Sequence, residues 1–130
     1  MDIYEATQTL LTTAVPAGVN VSSFVLTYDE DKNQFLLPDF PAVTYNYSTL
    51  TPIVPTPNLY RIGLDVEVWG DLEQIDSNAE AVVKALNAKR VTVNNVEFTL
   101  VMMESQDVTE LGLDFKRRYM RFSGLADIQE

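Results

Sequence analysis

Asp65 and Glu67 stand two positions apart in the stretch from Tyr60 to Trp69. On an extended chain that spacing puts both carboxylates on one face, where a general acid and its partner base could work together. Two acids on the solvent side of a strand fit the same description without any chemistry. A second candidate, Asp29-X-Asp31-X-Asn33, begins like a calcium-binding loop. The glycine required next is Gln34, and the twelfth position is Phe40 rather than a bidentate glutamate, so an acidic surface turn is expected. The chain holds no cysteine and no histidine. Thiolate chemistry, thiolate metal ligation and the commonest general base are therefore excluded. Its five glycines are scattered, leaving no phosphate-cradling loop. Tyr45, Tyr47 and Trp69 could offer stacking surfaces to nucleobases, but no basic residue is interleaved with them and sheet core is the expected role. No catalytic, cofactor-binding or metal-binding residue is assigned, and the chain is expected not to be an enzyme.

Lys116, Arg117, Arg118, Tyr119 and Arg121 form the feature that asks for more. The formal charge is −10, from 19 acids against 9 bases, and four of those bases fall within positions 116–121. The first sixty residues hold only Lys32. An acidic surface of this kind repels free nucleic acid and anionic membrane. The cluster has two readings. In one, its cations pair with acids of the same chain. In the other it is an interface, since Arg, Tyr and Met are enriched at protein contacts and a ring needs complementary patches on one chain.

A hydrophobic fraction of 46% over 130 residues is ordinary for one globular domain, expected to span 1–130. The start, from Met1 to Glu5, lacks the basic and apolar regions of a signal peptide, and an intracellular setting is expected. No apolar run approaches the roughly 20 residues of a membrane span.

The elements that must position these residues follow from periodicity. Tyr60, Ile62, Leu64, Val66 and Val68 alternate with mostly polar residues, which predicts a strand with one buried face. At Gly70-Asp71 the period changes, and Leu72, Ile75, Ala79, Val82, Val83 and Leu86 predict an amphipathic helix lying across that sheet. A helix is expected from about Asp2 to Ala14, with Asp2 and Glu5 at the spacing of a capping pair. Val21 to Tyr28 reads as a short strand, and Phe40 to Tyr47 as another. Thr49 to Asn58, with Pro52, Pro55 and Pro57, reads as an extended connection in which Ile53 and Val54 make a sticky contact surface. Asn94-Asn95 predicts a tight turn between Val91–Val93 and Val96–Leu100, with Met102 and Met103 continuing the second arm, and Gln106 to Gly112 a connection. The last strand, Asp114 to Ser123, has no cleanly apolar face and suits an edge or a strand facing another subunit. The fold class expected is α+β: a mainly antiparallel four- to five-stranded sheet with an N-terminal helix and one long amphipathic helix packed against it.

Three landmarks carry a family resemblance. Phe40-Pro41-Ala42-Val43 opens a strand with Tyr45 and Tyr47, an alternating strand ends Val66-Glu67-Val68-Trp69, and an amphipathic helix follows directly. With the N-terminal helix and the Arg-rich last strand, this order resembles the tail terminator (tail-completion) proteins of long-tailed bacteriophages. The acidic tip from Asp29 to Asn33 has no place in that pattern. The resemblance implies a non-enzymatic homo-oligomeric ring, expected to hold six copies, that caps the tail tube, ends its polymerisation and forms the head-joining surface. It implies the major tail tube protein and a head-completion or connector protein as partners. DNA would pass through the lumen without tight binding, and the location would be the virion, after assembly in the host cytoplasm. Ile53, Val54, Lys116, Arg117, Arg118, Tyr119 and Arg121 are the candidate contact residues. A head–tail joining or neck protein of similar fold is the alternative, and from another class a small acidic adaptor that binds a basic host protein.

Overall fold

The computed structural model describes residues 3–24, 27–56, 58–109 and 116–129. Its elements run α1 (Ile3–Ala14), β1 (Asn20–Ser23), β2 (Thr27–Asp29), β3 (Gln34–Leu36), β4 (Ala42–Pro52), β5 (Leu59–Gly70), α2 (Leu72–Leu86), β6 (Lys89–Val93), β7 (Val96–Thr109) and β8 (Lys116–Ile128). Six strands form one sheet in the order β1-β4-β5-β8-β7-β6, and β2 with β3 forms a separate hairpin. Neighbours in the large sheet are antiparallel except β1, which runs parallel to β4.

The expected mainly antiparallel sheet of four to five strands beside one long helix is overturned. The sheet has six strands and is mixed, and strand dominates over the two helices of the described residues. The physical reason begins with Val21 to Tyr28, which is two pieces rather than one strand. Only Asn20–Ser23 pairs with Ala42–Tyr45, and the Gln8 side chain donates to the Val21 carbonyl at 2.7 Å. A strand this short shows no alternation to read. Parallel neighbours cannot be joined by a tight turn, so the chain crosses over between Ser23 and Ala42 and carries the β2–β3 hairpin on the way.

Two expected connections are also strand. β4 continues to Pro52, which pairs with Tyr60, so the connection shrinks to residues 53–58. Past Tyr45 the outer side of β4 has no β1 partner, and an edge position of that kind tolerates proline. β7 likewise runs on to Thr109. Register shifts at Tyr47/Thr49 and at Met102/Glu104 reverse the in–out parity along both strands, which hid their length from a period-two reading. Finally, β8 lies between β5 and β7 in the sheet interior and is not an edge. The expected cap at Asp2 and the strand residues Asp114 and Phe115 lie outside the described residues.

Both helices pack on one face of the sheet. Ile3, Ala6, Leu10 and Leu11 of α1 and Ile75, Ala79, Val82 and Leu86 of α2 share one buried cluster with Ile62, Leu64, Val66, Val68, Phe98, Leu100, Met120 and Phe122. α2 starts where the period changes. Gly70 takes φ +146, a conformation costly for any side chain, and Asp71 then caps the helix. The Asp71 carboxylate accepts from the Gln74 N–H at 2.9 Å, and the Gln74 side chain accepts from the Asp71 N–H at 3.1 Å. At the other end of this layer, Asn94 and Asn95 both adopt positive φ and close the β6–β7 hairpin.

Gly124 sets how closely β7 and β8 approach. A Cβ built there would lie 1.9 Å from the Thr99 carbonyl oxygen, a backbone atom that cannot swing away. Gly124→Ala is expected to cost about 3 kcal/mol or more, read as a lowered denaturant midpoint. Ala88 is the converse case. It follows the helix with φ 56, and Ala88→Gly is expected to gain up to about 1 kcal/mol in the same measurement.

Candidate functional site

Interior placement of β8 divides the basic cluster between two faces. Arg118, Met120 and Phe122 lie opposite Val68, Val66 and Leu64 and share the helix-covered face. Arg117, Tyr119 and Arg121 lie opposite Trp69, Glu67 and Asp65 on the face away from α1 and α2. Lys116 pairs with Gly70 at the start of the strand, and its side chain lies outside the described residues.

On the open face the cations meet acids of their own chain. The Arg117 guanidinium pairs with Glu67 and stands over the Trp69 ring, 5.3 Å from its centroid. Asp65 accepts from the Tyr119 hydroxyl at 2.9 Å and from Arg121 Nε at 3.1 Å. Burial first, and then the hydrogen bond to Asp65, raise the Tyr119 hydroxyl above the ordinary tyrosine pKa. Arg121, whose side chain is 46% exposed, is held more firmly charged by its hydrogen bond to Asp65. Asp65 and Glu67 do share a face, and each carboxylate is engaged by a cation of β8.

Arg118 ties three elements together. Its Nε donates to Asp107 of β7 and an Nη to Asp76 of α2, both at 2.7 Å. The bond to Asp107 is the chief cause of a raised guanidinium pKa. With only 22% of its side chain exposed, Arg118 works as a clasp between helix and sheet.

Ile53 and Val54 lie elsewhere, at the turn between β4 and β5. Val54 is 85% exposed, while the Ile53 N–H donates to the Leu59 carbonyl at 2.9 Å. The turn is about five residues of strand, or roughly 17 Å, from the Asp65–Arg121 pair. The structure therefore brings Arg117, Tyr119 and Arg121 together and leaves Arg118 and the Ile53–Val54 tip apart. The acidic tip closes the β2–β3 hairpin, where one Asp29 oxygen accepts the N–H groups of Asp31 at 3.0 Å and Lys32 at 3.3 Å.

Sequence reasoning missed one assembly. Tyr45 and Tyr47 face α1, where the Tyr45 hydroxyl bonds the Tyr4 carbonyl at 3.2 Å and the Gln8 side chain at 3.0 Å. Trp69 points the opposite way and is fully buried on the open face. Phe24 meets it edge-on at 5.9 Å, Phe40 stacks on it at 6.0 Å, and its Nε1 donates to Thr44 at 2.9 Å. The three aromatics singled out in the sequence thus share no platform. The signal for the Trp69 assembly was Phe24 and Phe40 at the two ends of the crossover, legible only once β1 and β4 are known to be parallel.

No protein-family model matches the chain, and no curated protein matches it. Its fold is similar to that of a chain in the solved structure "Virion of native gene transfer agent (GTA) particle". The TM-score is 0.55 at 13% identity, covering 97% of this chain and 96% of that one. At this identity the likeness is one of fold. Among the described residues no helix is long and apolar enough to cross a membrane.

Tyr119 gives a pH signature. Its raised pKa favours the neutral hydroxyl in the folded state. The resulting stability is fully present below the unfolded value near pH 10 and is lost as pH rises through the folded value. Between pH 9 and 11.5 the wild type is expected to lose more stability than Tyr119→Phe, read by denaturant melts at each pH. Arg118→Gln is expected to cost about 1–2 kcal/mol at low salt and less in 1 M NaCl, since Asp76 and Asp107 are themselves well exposed.

Proposed function

We propose that this chain is a structural virion protein that caps a phage tail tube as a homo-oligomeric ring of six copies, ending tube polymerisation and forming the head-joining surface. The observation that carries the reading is the end-to-end likeness of fold to a chain of a virion, covering 97% of this chain and 96% of that one. The order of landmarks from Phe40 to the helix after Trp69, which resembles tail terminators, supports the finer role. In this reading the protein is not an enzyme, and Asp65 and Glu67 serve to hold Arg121, Tyr119 and Arg117 in place. Its partners are further copies of itself, the major tail tube protein and a head-completion protein. The virion is its location and the host cytoplasm its place of assembly.

Within this proposal the contact residues fall into two groups. Ile53 and Val54 present an apolar tip at one end of the sheet, with Val54 the more exposed. Arg117, Tyr119 and Arg121 line the open face, where Arg121 retains enough exposure to reach a neighbour. Lys116 and Arg118 stand at the β8 end that meets α2. The balance of −10 suits a lumen through which DNA slides without sticking.

A head–tail joining protein of similar fold is the second reading, and the fold likeness favours it equally. Finding the protein in tails made without heads selects the terminator. Sedimentation at micromolar concentration, alone and with purified tail tubes, is expected to give a closed oligomer or binding to tube ends. A chain that stays monomeric and ignores tube ends overturns the proposal.

A further inference from the structure

Among the described residues, the contacts of the β2–β3 hairpin are chiefly those between its own two strands. Two strands of three residues each do not make an independently stable unit in water. Leu36 and Leu37 are nevertheless 43% and 39% exposed on it, and its turn carries Asp29, Glu30 and Asp31 against a single base, Lys32. An element this small, apolar on its flank and acidic at its tip, calls for a surface that is apolar and basic.

Such a surface lies on the open face of the same chain. The register places Arg61 beside Leu125, Leu125 beside Thr99 and Thr99 beside Arg90, a single row across β5, β8, β7 and β6. At about 4.8 Å per strand the two arginines stand roughly 14 Å apart. Between them Leu125 is 39% exposed, and Val101, two residues along from Thr99, is 49% exposed. The acids near the row are Glu97, which pairs with Arg90 at 3.4 Å, and Asp127, one row further on. Arg61, Arg90, Arg117 and Arg121 all fall on this face; Glu67 and Asp65 engage Arg117 and Arg121, which leaves Arg61 and Arg90 as the cations of the row.

The hairpin is joined to one edge of the sheet, and the row reaches the other. It lies in the crossover that leaves edge strand β1 at Ser23 and enters β4 at Ala42, whereas the row runs from Arg61 on β5 to Arg90 on the far edge strand β6. Two complementary surfaces toward opposite edges of one sheet fit the same surfaces of its copies head to tail, the contact that closes into rings. We propose that the acidic tip and leucine flank of the β2–β3 hairpin dock on the Arg61–Leu125–Thr99–Arg90 row of the next copy. This rests on the ring reading and names the contact that builds it.

The test is a charge exchange in the full chain, read by sedimentation equilibrium. Glu30→Lys with Asp31→Lys leaves Asp29 to hold the turn. Arg61→Glu with Arg90→Glu alters the row. Each double variant is expected to weaken self-association by at least about tenfold, and the quadruple variant to return within about threefold of wild type. Restored association also answers any concern about folding, because a misfolded variant is not rescued by further charge changes. Wild-type association in the hairpin variant, or loss in both double variants without rescue, overturns the docking contact and leaves the ring reading standing. A wild-type chain that stays monomeric throughout overturns both. Charge-dependent oligomers that ignore tail tubes uphold the contact and overturn the capping role.

Discussion

The structure depends on β5 and β8 being buried neighbours whose two faces have opposite requirements. Leu64 faces Phe122 and Val66 faces Met120 on the helix side, while Asp65 faces Arg121 and Glu67 faces Tyr119 on the other. A slip of one residue would carry Arg117, Tyr119 and Arg121 into the apolar layer and strand Met120 and Phe122 outside. Each misplacement would leave a charge without its partner, so the charged face enforces the register that the apolar face rewards. The Arg121–Asp65 pair is worth little in water by itself. Its value lies in admitting one alignment.

That arrangement explains which parts of the fold were legible in the sequence. β5 and α2 were, because Ile62, Leu64, Val66 and Val68 hold an unbroken period of two and Ile75, Ala79, Val82 and Leu86 hold a helical one. Asn94-Asn95 was legible from local turn chemistry alone. β4 and β7 were truncated in the reading because an extra residue at the Tyr47/Thr49 and Met102/Glu104 shifts flips the pattern halfway along. β1 was illegible as a partner of β4 because parallel pairing of four residues leaves no mark on composition. The open-face network was half visible. The basic cluster stood out, but its mixed alternation resembles an edge strand as closely as an interior strand whose second face is ionic.

The same logic bears on assembly. With both described helices on one side of the sheet, the other side is left to be satisfied by ion pairs or by something else. Near Trp69 it is satisfied internally, by Arg117, Glu67, Phe24 and Phe40. Toward Leu125 and Val101 it stays exposed. Satisfaction therefore grades along the strands, and a neighbour has most to gain where the chain's own partners run out.

Trp69 is the sole tryptophan of the chain, and it sits beneath a cation and between two phenylalanines that bracket the crossover. An indole buried from water and next to a guanidinium emits according to the field and packing around it. The molecule thus carries a built-in optical reporter beside the crossover that holds its β2–β3 hairpin, one that needs no label and has no second emitter of its kind to confuse the signal.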